Sequence, residues 1–306
     1  MEYTRLGQTG LAVSRICFGC AAIGGYDYGP VEDAISIGAI HKALDLGINF
    51  FDVADVYGFG HAESTLQKAL GARVNQLVIA TKFGVRWSAE GETMRDISPA
   101  HLRRALEGSL RRLGCDSITL YQVHWPDHQT SLEDAVATLA ECQQAGKIRH
   151  FGVCNLTGED VRSCQKIARL ESLQIPFSLA ERQNTGLIQI AAREHFMTVM
   201  VYNALAHGLF SGKYNRESVF SGTDLRARVK LFQGEAFENA LELLDRIRQV
   251  ASTTGKTCTQ VALNWTLSQC GVSSVIVGTK SASQIEDSVA AIEFRLDAEQ
   301  LKQLSA

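Results

Sequence analysis

Eight short apolar runs, rich in β-branched residues, recur along this 306-residue chain at the spacing of a strand–helix repeat. They cover residues 16–19, 48–53, 77–81, 118–123, 148–153, 173–175, 198–202 and 274–277, and the first seven start 32, 29, 41, 30, 25 and 25 residues apart. Runs of this length, bounded by turn residues and lacking polar alternation, read as strands buried on both faces. Between most of them lies one amphipathic helical pattern. Residues 32–46 stop before Gly47 and 62–70 before Gly71, while Ser98 and Pro99 supply a cap and first position for a helix that ends before Gly114. Further helices are expected at 131–145, with Glu133 and Asp134 in the first turn, and at 158–170, 186–195 and 235–253. Apolar strands alternating with helices call for a parallel sheet covered on its outer face. Eight such units predict a closed (β/α)8 TIM barrel, a single domain over 1–306 with a short N-terminal extension, rather than an open doubly wound sheet.

No linker, repeat or low-complexity segment breaks that order. The stretch 203–234 after the seventh strand is too long for an ordinary connection and is expected to be a functional loop over the barrel mouth. With 30 Lys and Arg against 33 Asp and Glu, the formal charge is −3, so there is no electrostatic footprint for nucleic acid or an anionic membrane. The N-terminus is polar where a secretory signal would be apolar, and no apolar run reaches spanning length, so a cytoplasmic protein is expected. Its 8 cysteines are scattered through apolar segments and read as buried free thiols. In the one CxxC, Cys17 and Cys20 lie on an extended run and point to opposite sheet faces, which argues against a redox pair or half a zinc site.

Barrel chemistry gathers at the carboxyl ends of the strands. The second run ends in Asp52, the third in Lys82 and the fourth in His124, and Tyr57 follows Asp52 in a tight loop with Gly58 and Gly60. An Asp and a Lys at adjacent strand ends are costly to desolvate unless paired, and an ammonium beside a phenol makes the phenol a better proton donor. Asp52 with Lys82 alone would suit a plain barrel ion pair, and His124 alone a satisfied core histidine. Together they converge on acid–base chemistry that needs no metal.

At these residues the chain resembles the aldo-keto reductase family, from near residue 1 to its end. The resemblance rests on Arg-Leu-Gly-Gln-Thr-Gly-Leu-Ala-Val-Ser-Arg at 5–15, Gly-Ile-Asn-Phe-Phe-Asp-Val-Ala-Asp-Val-Tyr-Gly at 47–58, and Val-Ile-Ala-Thr-Lys at 78–82. It continues with His124 before Trp-Pro-Asp, Gly-Lys-Ile-Arg-His-Phe-Gly-Val-Cys-Asn at 146–155, and Gly-Leu-Phe-Ser-Gly-Lys-Tyr at 208–214. It implies a catalytic tetrad of Asp52, Tyr57, Lys82 and His124, in which a nicotinamide delivers hydride to a carbonyl and Tyr57 protonates the alkoxide. Lys82, held by Asp52, assists Tyr57, and His124 orients the carbonyl oxygen.

The same resemblance gives Asn155 and Gln174 to the carboxamide, Tyr202 to the nicotinamide ring, and the loop Leu205, Gly208 and Lys213 to the pyrophosphate. Gly278, Lys280, Gln284 and Asp287 fall in its adenosine-phosphate segment, before a helix that begins near Ser281 and whose N-terminus could receive a phosphate. Departures are Cys154 for the usual Ser, Asn-Ala-Leu at 203–205 for Ser-Pro-Leu, Ser288 for Asn, and Gln284 where strong NADP binders place Arg. The choice of NADP(H) over NAD(H) therefore rests on Lys280. A dinucleotide fingerprint at 58–63 lacks its third Gly. Tyr26, Tyr28, Trp87 and Trp125 lie in loops that can wall a pocket for a small carbonyl or sugar substrate. Arg216, Arg226, Arg228 and Lys230 make a basic cluster that could match a phosphorylated or nucleotide-linked substrate, but interspersed Glu217, Asp224 and Glu235 favour a solvated loop. A cofactor-binding regulatory subunit, and an aldolase or lyase with Lys82 as Schiff-base nucleophile, are the alternative readings.

Overall fold

The computed structural model describes residues 1–25, 29–222 and 224–305. Twelve strands are present among them: β1 (Tyr3–Arg5), β2 (Ala12–Ser14), β3 (Ile16–Gly19), β4 (Phe50–Asp52), β5 (Val78–Phe83), β6 (Val85–Trp87), β7 (Thr93–Arg95), β8 (Ile118–Val123), β9 (Ile148–Cys154), β10 (Ser172–Pro176), β11 (Thr198–Tyr202) and β12 (Ser274–Gly278). Eight of these, β3, β4, β5 and β8 to β12, form a closed parallel barrel. It is sealed where β12 pairs with β3 in the register Val275 to Ile16. This is the predicted (β/α)8 architecture, with the strands at the predicted runs.

Two short antiparallel hairpins lay outside the sequence prediction. The first, β1 with β2, carries Leu6 and Val13 into the barrel floor, where they pack with Cys17, Phe50, Val78, Ala80, Leu120, Met200 and Ile276. Its turn is tied to the barrel where Gly7 N–H donates to Thr198 Oγ1 at 2.6 Å. The second, β6 with β7, rises from the other end directly after β5. Cys17 belongs to the inner core and Cys20 to the outer one between strands and helices, so the CxxC does face two ways.

The helices are α1 (Asp33–Asp45), α2 (His61–Leu70), α3 (Pro99–Leu113), α4 (Leu132–Gln144), α5 (Gly158–Ile167), α6 (Thr185–Arg193), α7 (Gly234–Thr254), α8 (Cys258–Ser268), α9 (Ala282–Val289) and α10 (Ala298–Ser305). Ser98 caps α3 by accepting from His101 N–H, with Pro99 at the first position, and Ser131 caps α4 by accepting from Asp134 N–H. The chain leaves α5 at Ile167, short of the predicted 170. Helices α8 and α10 were not anticipated. No helix among the described residues is long and apolar enough to cross a membrane.

Candidate active site

With its floor filled by apolar side chains, the barrel's polar layer sits near the carboxyl ends of the strands. Asp52 closes β4, Lys82 is next to last in β5, and His124 follows the last residue of β8. Lys82 Nζ donates to Asp52 Oδ2 at 2.8 Å, to the Val53 carbonyl at 2.9 Å and to Tyr57 Oη at 3.4 Å. Lys82 is 0% exposed and Asp52 3%, so neither charge is hydrated and each depends on the other. Burial alone would strip the proton from Lys82, but the Asp52 carboxylate, with help from Tyr57 and Cys154, holds the ammonium well above the usual lysine range. Gln174 Nε2 donates to Asp52 Oδ1 at 2.7 Å, so both carboxylate oxygens are engaged.

The turn that carries Tyr57 depends on glycine. Gly58 has φ +59°, and a Cβ there would lie 2.2 Å from the Gly24 carbonyl oxygen. That close approach seats Tyr57 above Lys82, whose Nζ is 4.9 Å from the ring centroid. The His124 ring meets Tyr57 edge-on, with centroids 5.7 Å apart and planes at 82°. His124 is buried, and its Nδ1 has no partner among the described residues. Burial, then the charges of Lys82 and Arg95, push the imidazole well below the ordinary histidine range. It is therefore neutral near pH 7, with one ring nitrogen carrying a proton to donate.

Around this centre the strand ends are cross-tied. Asn155, in the left-handed region at φ 59°, donates from Nδ2 to the His124 carbonyl at 3.0 Å and accepts from Tyr202 Oη at 2.8 Å. Burial, with Cys154, Tyr57 and Glu181 nearby, raises the Tyr202 phenol above its usual value. Gln174, expected at the carboxamide, has its amide nitrogen bonded to Asp52. Gln122, which the sequence reading passed over inside an apolar run, is fully buried beside it and donates to Ser172 Oγ at 3.0 Å.

The long segment after β11 packs Tyr214, Phe220 and Phe232 into an aromatic cluster with Phe237 of α7. Leu205 packs against the core, and Gly208 has φ +89°. Its absent Cβ would face Arg226 Nη1 and Lys213 Nζ, each at 4.0 Å. Arg226 was read as solvated with its basic neighbours but turns inward. It donates to Asp224 Oδ2 at 2.6 Å and to the His207 carbonyl at 3.3 Å, while its buried Nε has no partner among the described residues. Burial, then Arg226 and Lys213, pull the Lys280 ammonium below the usual lysine range, against the smaller opposing effect of Asp224. Three cations thus crowd one carboxylate, a local excess of positive charge that fits phosphate oxygens.

Beside them, Ser281 caps α9, and Gln284 Oε1 accepts from Lys280 N–H at 2.8 Å. Asp287 Oδ1 accepts from Thr257 Oγ1 and Gln260 Nε2, both at 2.8 Å, which ties α9 to the start of α8. Gly278, exposed at the end of β12, has nothing within 4 Å of a would-be Cβ. Of the aromatic residues expected around the substrate, Trp125 stacks on His124 with centroids 6.2 Å apart, whereas Trp87 packs on Phe59 at 5.9 Å. Tyr26 and Tyr28 lie outside the described residues. A groove of about 710 Å³ at the opposite end, beside Arg5, Gln8 and Phe196, contains none of the expected site residues.

Comparison with known proteins bears on the same geometry. The model of the Aldo/keto reductase family matches residues 15–306. An aldo-keto reductase of Schizosaccharomyces pombe named yakc and designated NADP(+) is 33% identical over 300 residues, 95% of this chain and 87% of that protein. The NADH-specific methylglyoxal reductase of Escherichia coli is 30% identical over 311 residues, 97% of this chain and 95% of that protein. The solved structure of the glycerol dehydrogenase AKR11B4 from Gluconobacter oxydans superimposes with a TM-score of 0.91 at 35% identity, covering 99% of this chain and 93% of that one.

Proposed function

Because the chain belongs to the aldo/keto reductase family, and is therefore an oxidoreductase that interconverts carbonyls and alcohols with a nicotinamide nucleotide, we propose that Tyr57 is its proton donor and acceptor and that NADP(H) is its preferred nucleotide. The observation that carries the assignment is the Lys82 ammonium, bonded at once to Asp52, the Val53 carbonyl and Tyr57 Oη. When bound, the nicotinamide supplies or accepts the hydride. Tyr57 gives its hydroxyl proton to the carbonyl oxygen as negative charge grows there, and takes it back in the reverse direction. A free phenol, with a pKa of about 10, parts with its proton reluctantly near neutrality. Lys82 overcomes this by donating to the phenol oxygen and stabilising the phenolate left behind.

Asp52 keeps Lys82 protonated, and Gln174 keeps Asp52 in place. Neutral His124 donates its ring N–H to the same substrate oxygen, so two preorganised donors face the developing charge. Asn155 and Tyr202 form the wall for the nicotinamide end, with Gln174 beneath it. Lys213, Arg226 and the turn from Leu205 through Gly208 hold the pyrophosphate. Lys280 takes the 2′-phosphate, Gly278 allows close approach of the adenosine, Gln284 orders the turn into α9, and Asp287 holds that helix to the start of α8. The crowding of Lys280 by two further cations supports NADP(H), although one relative is named for NADP(+) and another for NADH. A Schiff-base role for Lys82 is disfavoured, because a sealed ammonium has no lone pair to attack with. A linked tetrad equally favours turnover over a purely regulatory role.

Titration of the protein and of Tyr57→Phe with NADPH and NADH, read by Trp fluorescence and followed by a carbonyl panel, tests both parts. NADPH should bind at least tenfold tighter than NADH, about 1.4 kcal/mol, and be consumed by the unaltered protein. Tyr57→Phe should lose at least about 10²-fold in kcat while binding NADPH nearly as well. Undiminished turnover in Tyr57→Phe overturns the proton assignment, and equal or tighter NADH binding overturns the nucleotide preference.

A further inference from the structure

Arg95 stands at the barrel mouth with a charge that no described carboxylate answers. It ends the hairpin β6–β7, opposite Val85 in the register. This hairpin leaves β5 through Gly84, at φ +115°, where a Cβ would press on the Ile97 side chain at 3.1 Å and the Trp125 carbonyl oxygen at 3.3 Å. Beyond Arg95, Ile97 N–H donates to Asp127 Oδ2 at 2.8 Å. The segment is therefore pinned on both sides to the stretch that carries His124.

Between those ties the Arg95 guanidinium lies 4.9 Å from the centroid of the Trp125 ring, which itself stacks on His124. Its charge reaches the catalytic face, since it helps depress the His124 imidazole. The nearby acids are occupied elsewhere. Asp96 accepts from Ser98 N–H at 3.0 Å and lies 3.8 Å from Arg86. Asp127 accepts from Ile97, Gln129 and Thr130. A guanidinium lying on an indole keeps its N–H fork available at the edge, and that fork matches two oxygens of a carboxylate or phosphate.

We propose that Arg95, on its Trp125 platform, binds an anionic substituent of the carbonyl substrate, so that the enzyme favours aldehydes or ketones bearing a carboxylate or phosphate a few carbons from the reacting centre. This deepens the reading of Tyr57 and His124 as the reacting end and rests on it. Matched pairs separate the two sources of anion: 4-oxobutanoate against butanal, and glyceraldehyde 3-phosphate against glyceraldehyde. In at least one pair the charged member should have the higher kcat/KM by tenfold or more. Arg95→Gln should cut that ratio at least tenfold, mainly through KM, and Arg95→Lys should recover part of it.

A charged-to-neutral ratio near one in both pairs, or a ratio untouched by Arg95→Gln, overturns the proposal. Titration of the NADP(+)-loaded protein with inorganic phosphate and with acetate, read by Trp fluorescence, gives a second measure independent of turnover. A saturable response lost in Arg95→Gln supports the anion site even if no aldehyde is reduced, in which case it is the Tyr57 reading that fails. Brisk reduction of neutral aldehydes with no anion response sinks the anion site alone.

Discussion

Lys82 shows how much of this site is a problem of buried charge. Its ammonium has exchanged water for Asp52, a backbone carbonyl and a phenol, and removing Asp52 would leave the ammonium sealed in without its counter-charge. Asp52→Ala is expected to cost about 3–5 kcal/mol in urea unfolding, whereas the double change Asp52→Leu with Lys82→Met, which removes both charges, should restore most of that loss. A double variant no more stable than Asp52→Ala would mean that the pair is not what the fold depends on. Asp52, Lys82 and His124 could be read from the sequence because each is an ionisable residue at the end of an apolar run. Gln122 could not, because it lies inside such a run and only barrel closure shows that its side chain joins the polar layer. Arg226 was hidden by company, since Arg216, Arg228 and Lys230 share its loop and nothing local marks the one that turns inward.

Helix α8 illustrates a different kind of illegibility. Its residues from Val261 to Leu267 are all buried, so no polar stripe alternates with an apolar one and the 3.6-residue period carries no signal. The barrel strands are buried on both faces too, but their short β-branched runs between turn residues remain readable. What marks α8 is its cap. Thr257 Oγ1 accepts from Gln260 N–H at 3.1 Å while Gln260 Oε1 accepts from Thr257 N–H at 3.3 Å, and both side chains also donate to Asp287 on α9. One hydroxyl thus starts α8 and holds the helix that begins at the expected phosphate site. Thr257→Ala should cost about 2 kcal/mol, the upper end for a lost cap because a hydrogen bond to a carboxylate goes with it. Thr257→Ser, which keeps the hydroxyl, should recover most of the loss in the same unfolding assay. A loss below about 0.5 kcal/mol would show that the cap is solvated and idle.

Closing eight strands into one barrel buries ionisable groups at its mouth, along its walls and under its helices, and their shifts combine into one pH profile. Burial holds the imidazoles of His101, His124, His150 and His207 below the ordinary value, so they protonate at lower pH in the folded protein than in the unfolded chain, which protonates below about pH 6.5. The unfolded state then binds more protons, and stability falls as pH drops through that point. Asp55 works the other way. It is buried beside Glu63 with both oxygens unpartnered among the described residues, and its carboxyl is pushed well up. It is one group against four. On the alkaline side, burial raises the thiols of Cys17, Cys20, Cys142, Cys154 and Cys164. Thiols in the unfolded chain ionise near pH 8.5 while these do not, so their contribution is whole below that pH and is lost as pH rises. The two edges predict a Tm plateau between about pH 6.5 and 8.5, falling on both sides, in calorimetry at constant ionic strength under reducing conditions. A Tm that climbs from pH 7 to 5.5 would mean that Asp55 outweighs the four histidines, and one that holds level to pH 10 would mean that the thiols are not sealed from water.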